Sequence, residues 1–185
     1  IYATSSGPDA VTLNSTGRIS GTTDGVYVGH GGGGPINLNV GQGSIVTSSG
    51  TNSGDFAIET SGGPTNLVVG GTLNGGAGGA AKFDRSASNA FNDRMELHPT
   101  AAVNGKVLAG PGTDTLAFGG EGHGTFDLDD IDTGDKTKQF QEFEIFQVDS
   151  GTWSFSGTTP YAFTLNGGTL KGSGTFGELI SNGGT

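Results

Sequence analysis

The sequence contains no cysteine. Disulfide frameworks, thiolate metal sites and cysteine nucleophiles are therefore excluded together. Basic residues are scarce as well: eight Lys and Arg stand against eighteen Asp and Glu, a formal net charge of −10. Nucleic acid and anionic lipid are poor partners for such a chain, because phosphate contacts need Lys and Arg. No apolar run approaches the roughly twenty residues of a spanning helix. The first twenty residues also lack a basic segment followed by an apolar one. The chain opens at Ile1 without an initiator Met and reads as an excised piece of a longer protein. Hydrophobic residues make up 31%, low for a globular core. A sequence this poor in reactive groups is expected not to be an enzyme, and it offers no catalytic, cofactor-binding or metal-binding residue to assign.

Glycine is what the chain has in excess, 38 of 185 residues, about one in five against a usual one in fourteen. It shows no three-residue period and only six prolines accompany it, so a collagen helix is excluded. Its placement instead follows a longer repeat. Gly7-Pro8, Gly34-Pro35 and Gly63-Pro64 each lead into alternating apolar residues: Val11 and Leu13; Ile36, Leu38 and Val40; Leu67 and Val69. A second glycine then precedes Ile19, Ile45 and Leu73, with Val103 in the same place later. A third landmark aligns Val26-Tyr27-Val28 with Phe56-Ala57-Ile58 and Ala81-Lys82-Phe83.

Alternation at period two marks strands with one buried face, and the Gly, Asn, Asp, Ser and Thr clusters between them mark turns. A unit of 25 to 30 residues with three short strands cannot bury its apolar side chains alone, but stacked on copies of itself it can. The expected fold is all-β: a right-handed parallel β-helix of six to seven coils, with glycine at corners and Thr, Ser and Asn ladders outside. An antiparallel sandwich also yields short strands but gives no reason for Gly-Pro to recur.

Residues 1–85 read as regular coils within a single β-helix. Residues 86–149 read as coils with protruding loops, Arg94 to Pro99 strand-like, and a short helix over Lys136 to Phe143. Residues 121–149 carry nine of the eighteen acids. Residues 150–185 hold Gly-Thr pairs followed by Trp153, Leu170 and Phe176, and Asn-Gly-Gly-Thr at 166 and again at 182.

That last stretch, NGGTLKGSGTFG followed by NGGT, resembles the passenger-associated repeat of type V autotransporters. GTDTLAF (112–118) and FEIFQVDSGTW (143–153) are similar to segments of alphaproteobacterial surface adhesins of this family. The resemblance covers roughly residues 110–185. It implies a β-helical passenger exported through an outer-membrane barrel formed by the parent's own C-terminus, displayed on the bacterial surface or secreted. It further implies an adhesin or adhesin stalk whose partner is a host-cell or matrix protein or glycan, with C-terminal coils that aid folding during export. A secreted β-helical polysaccharide-processing enzyme or protease passenger is the alternative.

Other motifs carry less. Asp132-Thr133-Gly134 and Asp149-Ser150-Gly151 share the triplet of aspartic proteases, which need two lobes to bring their carboxylates together. Ala109 to Ala117 approximates one calcium nonapeptide, a motif that works only in tandem, so Asp114 reads as a turn residue. No ligand spacing supports calcium at Asp127 to Asp135. His30, His98 and His123 read as solvent-facing loop residues, and Gly29 to Gly34 lacks the Lys of a phosphate-binding loop. Of the arginines, Arg18, Arg85 and Arg94 are the candidates for a lyase-type base, and none reads as part of an acid-paired face.

Aromatic residues concentrate between 143 and 176, so burial per residue is expected to peak there. Trp153→Ala should therefore lower the urea midpoint more than Phe56→Ala, and equal or reversed losses would contradict this. Open coil ends should favour end-to-end association, visible by light scattering at high concentration.

Overall fold

The computed structural model describes residues 1–84 and 90–185. The first three circuits are β1 (Tyr2–Ser5), β2 (Val11–Ser15), β3 (Arg18–Gly21); β4 (Val26–His30), β5 (Ile36–Val40), β6 (Ile45–Ser48); and β7 (Phe56–Ser61), β8 (Thr65–Val69), β9 (Thr72–Asn74). The next three are β10 (Gly79–Lys82), β11 (Arg94–Leu97), β12 (Ala102–Asn104); β13 (Val107–Leu108), β14 (Thr115–Phe118), β15 (His123–Asp127); and β16 (Phe140–Gln141), β17 (Ile145–Val148), β18 (Thr152–Ser156). β19 (Ala162–Leu165), β20 (Thr169–Gly172) and β21 (Glu178–Ser181) follow. Each strand pairs in parallel with its counterpart one circuit away. The architecture is the parallel β-helix that the repeat predicts.

Its spine is an eight-stranded sheet, β2-β5-β8-β11-β14-β17-β19-β21. Seven circuits separate those eight strands, the upper end of the expected range, and at about 4.8 Å per step they rise roughly 34 Å. A six-stranded sheet, β1-β4-β7-β10-β13-β16, forms a second face. The third face is divided into β3-β6-β9-β12 and β15-β18-β20.

Register explains the buried pattern. Leu13, Leu38, Leu67, Met95, Leu116, Phe146 and Phe163 form one inward column, and Ser15, Val40, Val69, Leu97, Phe118, Val148 and Leu165 form the next. Two sequence alignments need correction. Ile19 and Leu73 pair with Val46, not with its neighbour Ile45, because only one of two successive strand residues can face the core. Val26 and Ala81 pair with Ile58, not with Phe56. That offset is two residues, and an even slip keeps the same face inward.

The expected ladders are present outside: the Asn104 side-chain amide donates to Asn74 Oδ1 at 2.8 Å, and that of Asn182 to Asn166 Oδ1 at 3.1 Å. The two Asn-Gly-Gly-Thr copies thus lie one over the other. Phe146 pairs with Phe163 and Phe163 with Leu179, so the last two circuits take only 17 and 16 residues, with two strands each. The third Gly-Thr pair does not join the column of the first two. Thr152 pairs with Thr169, whereas Thr175 bridges Thr158.

The helix expected over Lys136 to Phe143 does not form. Asp135 Oδ1 accepts the Thr137 amide, the Gln141 side chain donates to the Lys136 and Lys138 carbonyls, and Phe140 enters β16 opposite Val107. Glu142, at φ 66°, then turns the chain so that Phe143 is buried as well. Two buried phenylalanines three apart suit a helix face, and a strand followed by a left-handed turn buries them equally. The described residues hold one helical element, a 3-10 turn at Leu128–Asp130 capped by Asp127.

Aromatic packing dominates the later coils, but burial does not peak over 143–176 as expected. Buried positions are denser over 55–84, and Phe176 is only partly buried, because the short final circuits leave their far side open. The Phe118 ring centroid lies 4.7 Å from Phe126, 5.0 Å from Trp153 and 5.1 Å from Phe155. Gly124 makes room for this cluster, since a Cβ there would meet Trp153 Cζ3 at 2.5 Å. Gly124→Ala should cost about 1–3 kcal/mol, the usual range for overpacking. Gly17→Ala, where a Cβ meets nothing within 4 Å, should leave the urea midpoint nearly unchanged.

Candidate functional site

Three polar constellations stand out on this frame. The first lies on the outer face of the eight-stranded sheet. Arg94 Nη2 is 2.6 Å from Glu96 Oε2 and 2.7 Å from Asp149 Oδ2, while His98 Nε2 is 2.9 Å from Glu96 Oε1. Asp149 also accepts from the Gln147 and Asn166 side chains. Arg94 is thus acid-paired after all, contrary to the sequence reading. The fold brings β17 within its reach across β14, where Ala117 and Gly119 leave space: a Cβ at Gly119 would meet Glu96 Oε1 at 2.3 Å. Two carboxylates occupy the guanidinium Nη2, which leaves it a structural tie across the sheet rather than a free base.

The second is a cleft where the third face divides. β12 and β15 do not pair, and the opening leaves a cavity of about 160 Å³ lined by Phe126, Phe140 and Trp153 on the apolar side and by His98, Asp127 and Asp130 on the polar side. Gln139 also lines it, and its side-chain amide donates to the Val103 and Gly105 carbonyls at 2.6 and 3.1 Å. That amide occupies acceptors on the free edge of β12.

The acid-rich loop beside this cleft does mostly structural work. Asp127 Oδ1 accepts the Asp129 amide, Asp129 Oδ1 accepts the Thr158 amide, and Asp132 accepts the Gly134 amide and pairs with Lys136 at 2.9 Å. The Lys136 ammonium and the Gly134 amide hold the Asp132 carboxyl below the ordinary carboxylate range. Asp130 is the exception: it makes no hydrogen bond among the described residues, and burial, with Asp127 nearby, pushes its carboxyl upward.

The third constellation is a buried corner column ahead of the strands of the eight-stranded sheet. The Thr65 amide donates to Asp93 Oδ1, the Asp93 amide to Asp114 Oδ1 at 2.7 Å, and the Asp114 amide to Glu144 Oε2 at 2.8 Å. Asp84 Oδ2 accepts the Phe91 amide alongside, at 3.0 Å. Asp84, Asp93 and Asp114 are 4%, 1% and 0% exposed. One oxygen of each is buried without a hydrogen-bond partner. Burial first, and then neighbouring carboxylates, push Asp93 up to about 7 and Asp114 up to about 6. A groove of about 520 Å³ lies over the column, lined by Lys82, Asp84, Glu142 and Glu144 among others. Asp84 (φ 48°) and Glu142 (φ 66°), the two non-glycine residues with positive φ among those described, both line it.

The remaining sequence candidates are accounted for separately. Asp132 and Asp149 have different partners, Lys136 and Arg94. Asp114 sits in the buried column, more than the simple turn residue expected. His30 is buried, which corrects the solvent-facing reading: its Nε2 lies 2.7 Å from the Asp9 carbonyl, and its Nδ1 accepts from the Gly34 amide at 3.1 Å. The Gly31 to Gly34 run lets the chain wrap around that ring. His98 is half-buried in the first constellation, and His123 is exposed beside Ser154 at 3.0 Å. Arg85 lies outside the described residues. No group of three His, Asp or Glu side chains among the described residues is arranged to hold a metal ion. The corner column carried no pattern in the sequence, since its acids are 21 and 30 residues apart and only the coil step unites them.

No protein-family model, curated protein or solved structure matches the chain.

If the cleft amide of Gln139 caps the open edge, Gln139→Ala should destabilise the fold by about 0.5–1.5 kcal/mol, the net worth of a hydrogen bond whose acceptors water can still reach. Amide exchange at Val103 and Lys106 should accelerate along with it.

Proposed function

We propose that this chain is a non-catalytic segment of an autotransported bacterial surface protein, a stiff β-helical stalk bearing an adhesive surface for host cells or extracellular matrix. The observation that carries this reading is the stacking of the two Asn-Gly-Gly-Thr copies at the C-terminal end, Asn182 over Asn166 and Thr185 beside Thr169 at 3.2 Å. The sequence motif that resembles the passenger-associated repeat is thereby also a repeat of the coil. The parent's own C-terminal barrel would anchor it in the outer membrane. Its aromatic C-terminal coils bury large side chains within short circuits, which suits a segment that folds first during export and templates the coils before it.

The adhesive surface is best sought at the wall break. An apolar floor with a carboxylate at its edge fits a small polar group that has an apolar side, such as one sugar unit of a glycan or a side chain of a matrix protein. Asp130 is the residue with a free carboxylate there, whereas Asp127, Asp129 and Asp132 are spent on the loop.

A polysaccharide-processing enzyme is the second reading, favoured by the Arg94, Glu96 and His98 group on a broad sheet. The two carboxylates on Arg94 weigh against it, because they engage the side chain that a lyase would need free to meet its substrate.

Binding of the chain to host cells and to immobilised matrix proteins, beside Asp130→Asn, tests the proposal. The expected result is saturable binding by the parent, reduced at least tenfold in the variant, with equal urea midpoints for both. Binding that survives the substitution would move the site away from the cleft. Absence of binding by either would leave the stalk role alone, and depolymerisation of an acidic polysaccharide lost in Arg94→Ala would establish the enzyme reading instead.

A further inference from the structure

We infer that the corner column is a proton lock: Asp84, Asp93 and Asp114 retain protons in the folded chain, so the middle coils are firmest in mild acid and loosen as the pH rises to neutrality. The geometry leads there directly. Each carboxyl spends one oxygen on a backbone amide of a neighbouring segment and keeps the other buried with nothing to accept. Three such groups cannot all be anionic in one dry corner without a large penalty, and removing water makes mutual repulsion stronger. Protonation turns an orphan oxygen into a neutral hydroxyl and removes a buried negative charge from the column. Two carboxyls that share a site behave in this way wherever like charges are forced together.

The groups that face the column add to this pressure. Asp84 and Asp114 act on Asp93, and Glu144, Asp84 and Glu142 act on Asp114, all of one sign. The cations nearby are committed: Arg94 is held by Glu96 and Asp149 on the outer face, and Lys82 lies 5.8 Å over the Phe56 ring. No salt bridge reaches Asp84, Asp93 or Asp114 among the described residues.

The sign of the pH effect follows. Asp93 and Asp114 hold their protons up to about 7 and about 6 in the folded chain, against 3.8 as the ordinary value. Between those limits the native state binds more protons than the unfolded one, so stability falls as pH rises. The carboxyls of Asp132 and Asp135 are shifted downward, so their opposite contribution lies below 3.8.

Urea unfolding of the 185-residue chain at about pH 5 and about pH 8 tests the inference. The midpoint should be lower at pH 8, and unfolding at pH 6 should release about one proton or more per chain. Asp93→Asn keeps an oxygen for the Thr65 amide and supplies a permanent donor where the proton sat. It should raise the midpoint at pH 8 and remove most of the pH difference. Should that variant fail to fold, Asp114→Asn and the proton release of the parent chain give the same discrimination. An unchanged or higher parent midpoint at pH 8, with no proton release, would overturn the inference. So would a pH 8 midpoint raised by millimolar calcium chloride in the parent but not in Asp93→Asn, which would make the column a cation site.

Discussion

Everything in this molecule depends on one spacing, the strand-to-strand step that carries each circuit onto the next. Because the pairing is parallel and in register, a side chain that points inward has an inward counterpart directly above and below. Leu13, Leu38 and Leu67 form such a column in the first coils, and Met95, Leu116, Phe146 and Phe163 continue it. Circuits of 16 to 30 residues obey the same step. Differences in length must therefore be absorbed in the corners.

Corners are where this chain spends its glycine and its acids. Glycine serves the close approaches: at Gly151, with φ 76°, a Cβ would stand 2.4 Å from the Gly120 carbonyl of the coil before. Acids serve the amides that lose a ladder partner when the chain turns. Asp24 accepts from Phe56, Asp93 from Thr65, Asp114 from Asp93 and Asp129 from Thr158. Buried amides need acceptors, and a short carboxylate reaches them where a strand cannot. Much of the net negative charge is thus a consequence of the architecture, independent of any partner.

The same economy leaves its imperfections in two places. Where β12 and β15 fail to pair, the wall opens beside an aromatic floor and a single uncommitted carboxylate, Asp130. Where several corner acids fall in one buried column, their second oxygens have nothing to do. Both places arise from irregular segments between residues 84 and 144, and both are where ligand or proton would act.

Fold class was legible in the sequence because period-two alternation and a recurring Gly-Pro report directly on strands and coils. The C-terminal repeat was equally plain, since its two copies are nearly identical and stack as such. Register was only partly legible. Ile45 and Val46 are adjacent and both apolar, and the choice between them rests on which one the neighbouring coils leave facing inward. The helix expected at Lys136 to Phe143 failed for a related reason: spacing records which residues are buried, while hydrogen bonding to Val107 and the left-handed Glu142 decide how. The Arg94 pairing, the wall-break cleft and the acid column join residues up to 55 positions apart, with no local signal between them. By itself the sequence determined the coil, because a repeat is a local property. The tertiary structure alone decided which side chains meet, because that depends on how many residues each corner absorbs.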